Sequence, residues 1–364
     1  MDNKKLSKRV LLKRINGYLK NSIAGVVIIV VLLALIFAGV QMDNIKKSRE
    51  VQNLRKESAM LQQEASVKQE SEEVFEKIDA DIKIVCWGDD ISDINGKSSF
   101  TYELQRMLDN NGYSAKVINM NVPGDTTKDV MVRCGALRIL LDNEVTIPAS
   151  PVLTEIAISV EDGSELTFLK HGKNQATVRI GGIWGLLTYN ESKNAYFFER
   201  KAEGDKTVIA PGTPVTPKDA LAYQEFFPII SVGMNGGWDD DVYTLIEQQQ
   251  AILDACTYNQ GNFFMVGFTS YGEKASEESL KLTEQALLNQ WGNHYLNMRR
   301  YLSDEGVLNS SGIELGEQDL VQLTVGIVPD AVKRDKANLT ESGSSIVGQL
   351  VYYAMERQGC LPEQ

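Results

Sequence analysis

Histidine is the scarcest chemically versatile residue in this 364-residue chain: there are two, His171 and His294. Cysteine is nearly as sparse. Cys86, Cys134, Cys256 and Cys360 lie far apart with no C-x-x-C pair, which excludes a zinc site or disulfide framework of the usual tight spacing. Cys86, within an apolar run, reads as a small buried hydrophobe, and a single long-range disulfide stays open. Basic residues thin out along the chain: residues 79–364 carry 23 Lys/Arg against 40 Asp/Glu. A part this acidic repels phosphate backbones, so no nucleic acid partner is expected. With 43% apolar and 24% charged residues, the composition is that of a globular protein, long enough for one large domain or two modest ones.

Ile23–Val40, IAGVVIIVVLLALIFAGV, is an uncharged run of 18 residues, long enough for a membrane-spanning helix. A cleaved signal peptide has a shorter apolar core, although the small residues of FAGV would permit cleavage. Lys4, Lys5, Lys8, Arg9, Lys13, Arg14 and Lys20 precede the run, opposed by Asp2 alone. The positive-inside rule then predicts a cytoplasmic basic tail (1–22), a single-pass signal anchor (23–40) and everything later outside the cytoplasm. Residues 41–80 are polar, rich in Glu, Lys and Gln, with a thin heptad seam through Val51, Leu54, Leu61 and Ala65. A strong coiled coil carries Leu or Ile at nearly all such positions. The expectation is a solvated helical stalk, at most a weak homodimer contact.

From Asp81 the pattern alternates. DIKIVCW reads as a buried strand, SSFTYELQRMLDNNGY as a helix, SAKVINM as a second strand, followed by the loop NVPGDTT and a short helix. This is how a parallel, doubly wound α/β sheet opens. Residues 145–216 then switch to short strand candidates (TEIAISV, ELTFLK, ATVRIGGIWGLLTYN, AYFFER, KTVIA) separated by polar turns, predicting an inserted antiparallel β domain. The alternation resumes with FFPIISVGM, VYTLIEQQQAILDACT, NFFMVGF, EESLKLTEQALLNQWG and HYLNM, and closes on a helix N-capped by Thr340.

Four loops of this α/β part carry motif residues: Gly88-Asp89-Asp90 after the first strand, Gly124 after the second, Gly233-Met234-Asn235 after the third parallel strand, and Asp335-Lys336-Ala337-Asn338 before the last helix. In this order they resemble the SGNH (GDSL-type) hydrolases, a family of esterases, lipases and carbohydrate deacetylases. The resemblance covers residues 81–358. It implies a three-layer α/β/α flavodoxin-like fold, made here of residues 81–144 and 217–364 around the β insertion at 145–216. It also implies a site at the strands' carboxyl ends. There a serine attacks an ester carbonyl, a histidine takes its proton, and an aspartate orients the histidine. The loop glycine and the asparagine hold the oxyanion. The chain departs at two places. Asp90 stands at the serine position and Asn338 at the histidine position, while Gly124, Asn235 and Asp335 are retained. An amide cannot serve as a general base near neutral pH, and neither His171 nor His294 lies in a motif loop.

Three roles compete for Asp90. It is a carboxylate nucleophile, or it joins Asp89 and Asp335, with Asp125, in holding Ca²⁺ or Mg²⁺, or it belongs to a degenerate pocket. In the last case its carboxylate fills the oxyanion hole and accepts from the Gly124 N–H and the Asn235 amide. Ser92 lacks a base and reads as a turn residue. Trp184, Tyr196, Phe197 and Trp238 form either an aromatic sugar platform or part of a core. Arg299 or Arg300 is available to pair with the acidic loops. The resulting expectation is a membrane-anchored, extracytoplasmic protein with a degenerate hydrolase site, without cofactor, binding an envelope glycan or acylated ligand or acting as a scaffold at a bacterial cell envelope. The alternative is an active esterase, deacetylase or acyl transferase with a non-standard site.

Overall fold

The computed structural model describes residues 75, 77–89, 99–258, 261–269, 277–335 and 338–363. The basic tail, the apolar run 23–40, nearly all of the expected stalk, and Asp90 with Ser92 lie outside them. Among the described residues no helix is long and apolar enough to cross a membrane. The described residues form a mixed α/β structure with a five-stranded parallel sheet, a seven-stranded antiparallel sheet and a two-stranded antiparallel one.

Chain order explains the parallel sheet. β1 (Ile82–Gly88), α1 (Phe100–Asn110), β2 (Ala115–Asn121) and α2 (Thr127–Cys134) come first. After the antiparallel part come α3 (Lys218–Tyr223), β12 (Phe227–Ser231), α4 (Val242–Ala255), β13 (Phe264–Val266), α5 (Glu277–Trp291) and β14 (Tyr295–Leu296). The short helices α6 (Met298–Leu302), α7 (Glu305–Ser310) and α8 (Glu317–Thr324) lead to α9 (Glu341–Arg357). The strands run parallel in the order β2-β1-β12-β13-β14. The sheet therefore grows one way from β1 and then the other, the switch-point arrangement of doubly wound sheets. β1 and β12 are apolar on both faces because helices cover both: α1 packs with α9, and α4 packs with α2 and α5. Three of the covering helices begin where a side chain caps them. Ser99 accepts from the N–H of Thr101, Thr126 from that of Asp129, and Thr340 from that of Gly343.

Register brings the loops level. Gly88 lies opposite Asn121 on one side and Ser231 on the other, so three strands end together. A Cβ at Gly88 would stand 1.8 Å from Asn121 Oδ1 and 2.7 Å from the Ser231 carbonyl. Only glycine fits that close approach.

The antiparallel part runs from β3 (Ile139–Leu141) to β11 (Pro214–Pro217), starting earlier than the expected residue 145. Between them are β4 (Val145–Ile147), β5 (Thr154–Ile156), β6 (Ile158–Val160), β7 (Gln175–Ile180), β8 (Ile183–Asn190), β9 (Ala195–Arg200) and β10 (Thr207–Ile209). Seven strands pair in the order β5-β9-β8-β7-β11-β3-β6, and β4 pairs with β10. The two edges, β5 and β6, are separated by Ala157 alone. An open sheet would hold its edge strands about 29 Å apart, six spacings of about 4.8 Å, so the sheet closes on itself as a small barrel. The stretch TEIAISV, expected as one strand, closes the barrel by pairing one half with each edge. The ELTFLK segment is a turn rather than the expected strand, with Leu169 in the left-handed region at φ 68°. Val178, Ile180, Leu187 and Phe198 fill the barrel, a second core separate from the Ile84–Val85–Ile229–Ile230 core of the parallel sheet.

Candidate functional site

The carboxyl ends of β1, β2 and β12 meet in a buried polar network. Asp89 is 1% exposed, and its Oδ2 accepts from the backbone N–H of Gly233 (2.8 Å) and of Asn235 (3.2 Å). The Asn235 amide donates back to two main-chain carbonyls, Asp89 O at 3.1 Å and Asp125 O at 3.2 Å. Three of the four motif loops are thus joined through one aspartate and one asparagine. An amide NH₂ has two hydrogens, and both are engaged. Asn235 acts here as a strut between loops. The loop that holds it is held open by glycine: Gly233, Gly236 and Gly237 all have positive φ, as do Asp239 and Asp240. Trp238 anchors it, buried and donating Nε1–H to the Gly233 carbonyl at 2.9 Å.

Gly124 sits on the β2 loop at φ 86°, one residue before Asp125. Asp125 Oδ2 accepts from Arg133 at 2.5 Å, and both side chains are more than nine-tenths buried. Arg133 also donates to the Gly88 carbonyl at 3.3 Å and to that of Met120. Burial pushes the Asp125 carboxyl up to about 6, against the downward pull of the Arg133 charge.

Asp335 and Asn338 pair with each other. The Asn338 amide donates to both carboxylate oxygens, at 3.1 and 3.0 Å, and its backbone N–H donates to Oδ1 at 2.8 Å. Asp90 lies outside the described residues. As to metal, no group of three or more His, Cys, Asp or Glu residues placed to hold an ion is found among the described residues. Asp89 Oδ2 and both Asp335 oxygens face N–H donors instead.

One residue is where sequence spacing did not put it. His171, carried by the β barrel, comes beside the β2 loop: its Cβ is 3.9 Å, and the Gly172 nitrogen 3.6 Å, from where a Cβ on Gly124 would stand. His171 Nδ1 is 3.4 Å from Oδ2 of buried Asp129. That carboxylate also accepts from the Thr126 N–H and hydroxyl, both at 2.9 Å, and from the Thr167 hydroxyl at 2.5 Å. Gly172 is the point of contact, since a Cβ there would lie 2.5 Å from the Pro123 carbonyl. The contact spans 42 residues, and nothing local in the sequence marks it. His294 is a packing residue, stacked on Phe263 at 4.2 Å with Nδ1 2.9 Å from the Phe263 carbonyl.

The other candidates resolve into packing. Trp238 belongs to the sheet core, and Trp184 and Tyr196 are buried in or beside the barrel, so these three do not form an exposed platform. Phe197 is half-buried, with Lys193 over its ring. Arg299 forms a buried bidentate pair with Glu284 of α5, while Arg300 is exposed. All four cysteines are free thiols. A cavity of about 740 Å³ lies at the opposite end of the sheet, where Ile82 and Phe226 mark the strands' amino ends. A smaller one of about 230 Å³ opens beside Asp125, between the β2 loop and the barrel.

No family model matches the chain, and no curated protein sequence does. Two solved pyruvate kinase structures from Cryptosporidium parvum align with it in part. One shares 8% identity over 76% of this chain and 70% of its own, with a TM-score of 0.22. The other shares 9% identity over 79% and 75%, with a TM-score of 0.21. Scores this low carry no argument about fold or function.

Proposed function

We propose that residues 81–358 are a degenerate SGNH-hydrolase-like domain of three-layer, flavodoxin-like type, tethered outside the cytoplasm by Ile23–Val40, and that it binds an envelope glycan or acylated ligand, or serves as a scaffold, without cleaving it. The observation that carries this reading is the state of Asn235. Its amide hydrogens are spent on the Asp89 and Asp125 carbonyls, and the acid that would orient a base is spent on the Asn338 amide. A site built for acyl transfer keeps donors aimed at a developing oxyanion and a base able to take a proton. The parallel order β2-β1-β12-β13-β14 supports the fold assignment, although a strand order alone carries no chemistry. Incubation with activated short-chain esters and a serine-directed fluorophosphonate should give neither turnover above buffer nor labelling. Turnover or labelling overturns the reading. Protease added to intact protoplasts should digest the domain; full protection there overturns the topology.

A second reading, an active hydrolase or acyl transferase, is favoured by one observation: the His171–Asp129 pair beside Gly124. Donation of Nδ1–H to Asp129 would leave Nε2 as the basic nitrogen, able to take a proton from water. Ester hydrolysis abolished by His171→Gln and kept in His294→Gln would establish it in place of the first.

A further inference from the structure

Helix α8 (Glu317–Thr324) shows its sides the wrong way round. A surface helix ordinarily buries its apolar stripe and turns its polar face to water. No residue of α8 is fully buried, and two of the side chains that hold it to the domain are polar. Asp319 accepts through Oδ1 from the Ala331 N–H at 3.0 Å, and Gln322 through Oε1 from the Asp330 N–H at 2.9 Å. Of the helix's three apolar residues, Leu323 packs on the core of the parallel sheet. Leu320 and Val321 are left to solvent, 42% and 64% exposed.

The turn that ends the helix extends this apolar face. The Ile327 N–H donates to the Gln322 carbonyl and the Gly326 N–H to the Leu323 carbonyl, both at 3.0 Å, the paired bonds of a Schellman motif. Gly326 supplies its left-handed residue at φ 74°. The motif turns the chain back over the last helical turn, and Val325 lies one turn beyond Val321 on the same face. Leu320, Val321, Val325 and Ile327 thus form one ridge, the last two 45% and 41% exposed. It is held in place: Arg299, itself buried against Glu284, donates to the Gly326 carbonyl. The rim is acidic. From Asp304 to Val332 the chain has six Asp or Glu and no Lys or Arg. Glu314 and Glu317 are exposed and form no ion pair among the described residues, whereas Asp330 is shared with Lys333 at 3.6 Å.

We infer that this ridge is a docking surface for an amphipathic helix of a partner protein, one with apolar residues at i, i+3, i+4 and i+7 and Lys or Arg along both sides of that stripe. The stripe packs on the ridge as helices pack on one another in globular proteins, and the flanking cations meet Glu314 and Glu317. Charge decides between the surfaces able to cover an apolar ridge. A second copy joined about a two-fold axis sets the same acidic rim against itself, and an anionic lipid surface repels it. A basic helix is attracted and steered to it. At about 1.5 Å per residue α8 is about 12 Å long, which matches about two turns of the partner. The inference does not depend on the state of the crevice loops, so it stands or falls separately from the proposed function.

The test uses the full-length chain in phosphatidylcholine nanodiscs and a fluorescent peptide of about 18 residues, long enough to hold a helix, with Leu at that spacing and Lys elsewhere. Fluorescence anisotropy should show saturable binding beyond that to empty discs. A twin with Glu in place of Lys, and a scrambled peptide without the stripe, should each bind at least tenfold more weakly. Leu320→Gln with Val321→Gln should weaken the basic peptide at least tenfold. Glu314→Gln with Glu317→Gln should weaken it at least threefold and flatten its dependence on salt. Leu153→Gln with Val208→Gln, at two exposed apolar positions of the antiparallel part, should leave binding unchanged. Thermal melts matching the parent certify that each variant is folded. Absence of saturable binding overturns the inference. So does equal binding of the acidic or scrambled peptide, or undiminished binding by the folded Leu320→Gln, Val321→Gln protein. Two results without peptide overturn it as well. Pairing of discs that this double variant abolishes would assign the ridge to a second copy, and slower amide exchange over residues 317–327 on phosphatidylglycerol discs would assign it to lipid.

Discussion

Two Asp–Asn pairs stand in the loops of this domain, alike in chemistry and opposite in surroundings. Asp89 and Asn235 are joined in a network that is shut from water and ties three strand ends together. Asp335 and Asn338 bond with each other, three residues apart, at the surface, with three bonds ending on the Asp335 carboxylate. A hydrogen bond contributes little net energy where water can replace it, and its loss is costly where water cannot reach. The first pair therefore holds the fold together, and the bonds within the second order the turn before α9. Resemblance to a catalytic motif gives no hint of this difference, because letters do not record burial.

The comparison breaks most readily at the buried end. Arg133→Met should destabilise most, by about 3–5 kcal/mol, because it leaves the Asp125 carboxylate buried without its partner. It also removes donors to the Gly88 and Met120 carbonyls. Thermal or urea unfolding checks this. A loss below about 1 kcal/mol would mean that the β2 loop opens and hydrates Asp125. Asp89→Ala comes next, at about 2–4 kcal/mol, since the Gly233 and Asn235 N–H groups lose a shared acceptor in a dry site. Asp89→Asn should cost less, because the amide oxygen can still accept.

Much of the α/β part was legible. Apolar runs such as DIKIVCW and FFPIISVGM became β1 and β12, and the Thr340 cap was found where a threonine precedes an acidic first turn. Long-range partners were not. ELTFLK alternates like a strand, yet Thr167 and His171 both reach Asp129 of α2, and those bonds fold it into a turn. TEIAISV looks continuous because nothing local says that its halves serve opposite edges of a barrel. Asn235 was expected in the loop that follows a parallel strand, and it lies in the loop after β12. Its bonding was beyond reach, since two carbonyls from different loops decide it. The same holds for Arg299, whose partner Glu284 lies on a different helix.

A pH series sharpens the comparison without removing an atom from the network. The Asp125 carboxyl, raised by burial to about 6, sits above the ordinary aspartate value of about 3.9. Between these values the folded protein keeps a proton that the unfolded chain has released. This group's contribution to stability is therefore fully present below about pH 4 and is lost as pH rises through about 6. Asp125→Asn should remove that slope, seen as a flatter dependence of unfolding free energy on pH across this window. An unchanged slope would assign the titration elsewhere.

The smallest effect belongs to the exposed pair. Asp335→Ala removes an acceptor of three bonds, a larger count than Asp89→Ala removes from Oδ2. If bond number governed, it would be the more damaging change. Water, however, reaches Asp335 and can satisfy the Asn338 N–H and amide once the carboxylate is gone, so the cost should be about 0.5 kcal/mol and below 1. Urea unfolding of the two alanine variants side by side separates the accounts. A cost for Asp335→Ala that equals or exceeds that of Asp89→Ala would show that the last motif loop is built into the core of the site. It would also return Asp335 and Asn338 to the list of groups that shape it. A small cost would mean that the turn before α9 orders itself without bearing on the buried network of Asp89 and Asn235.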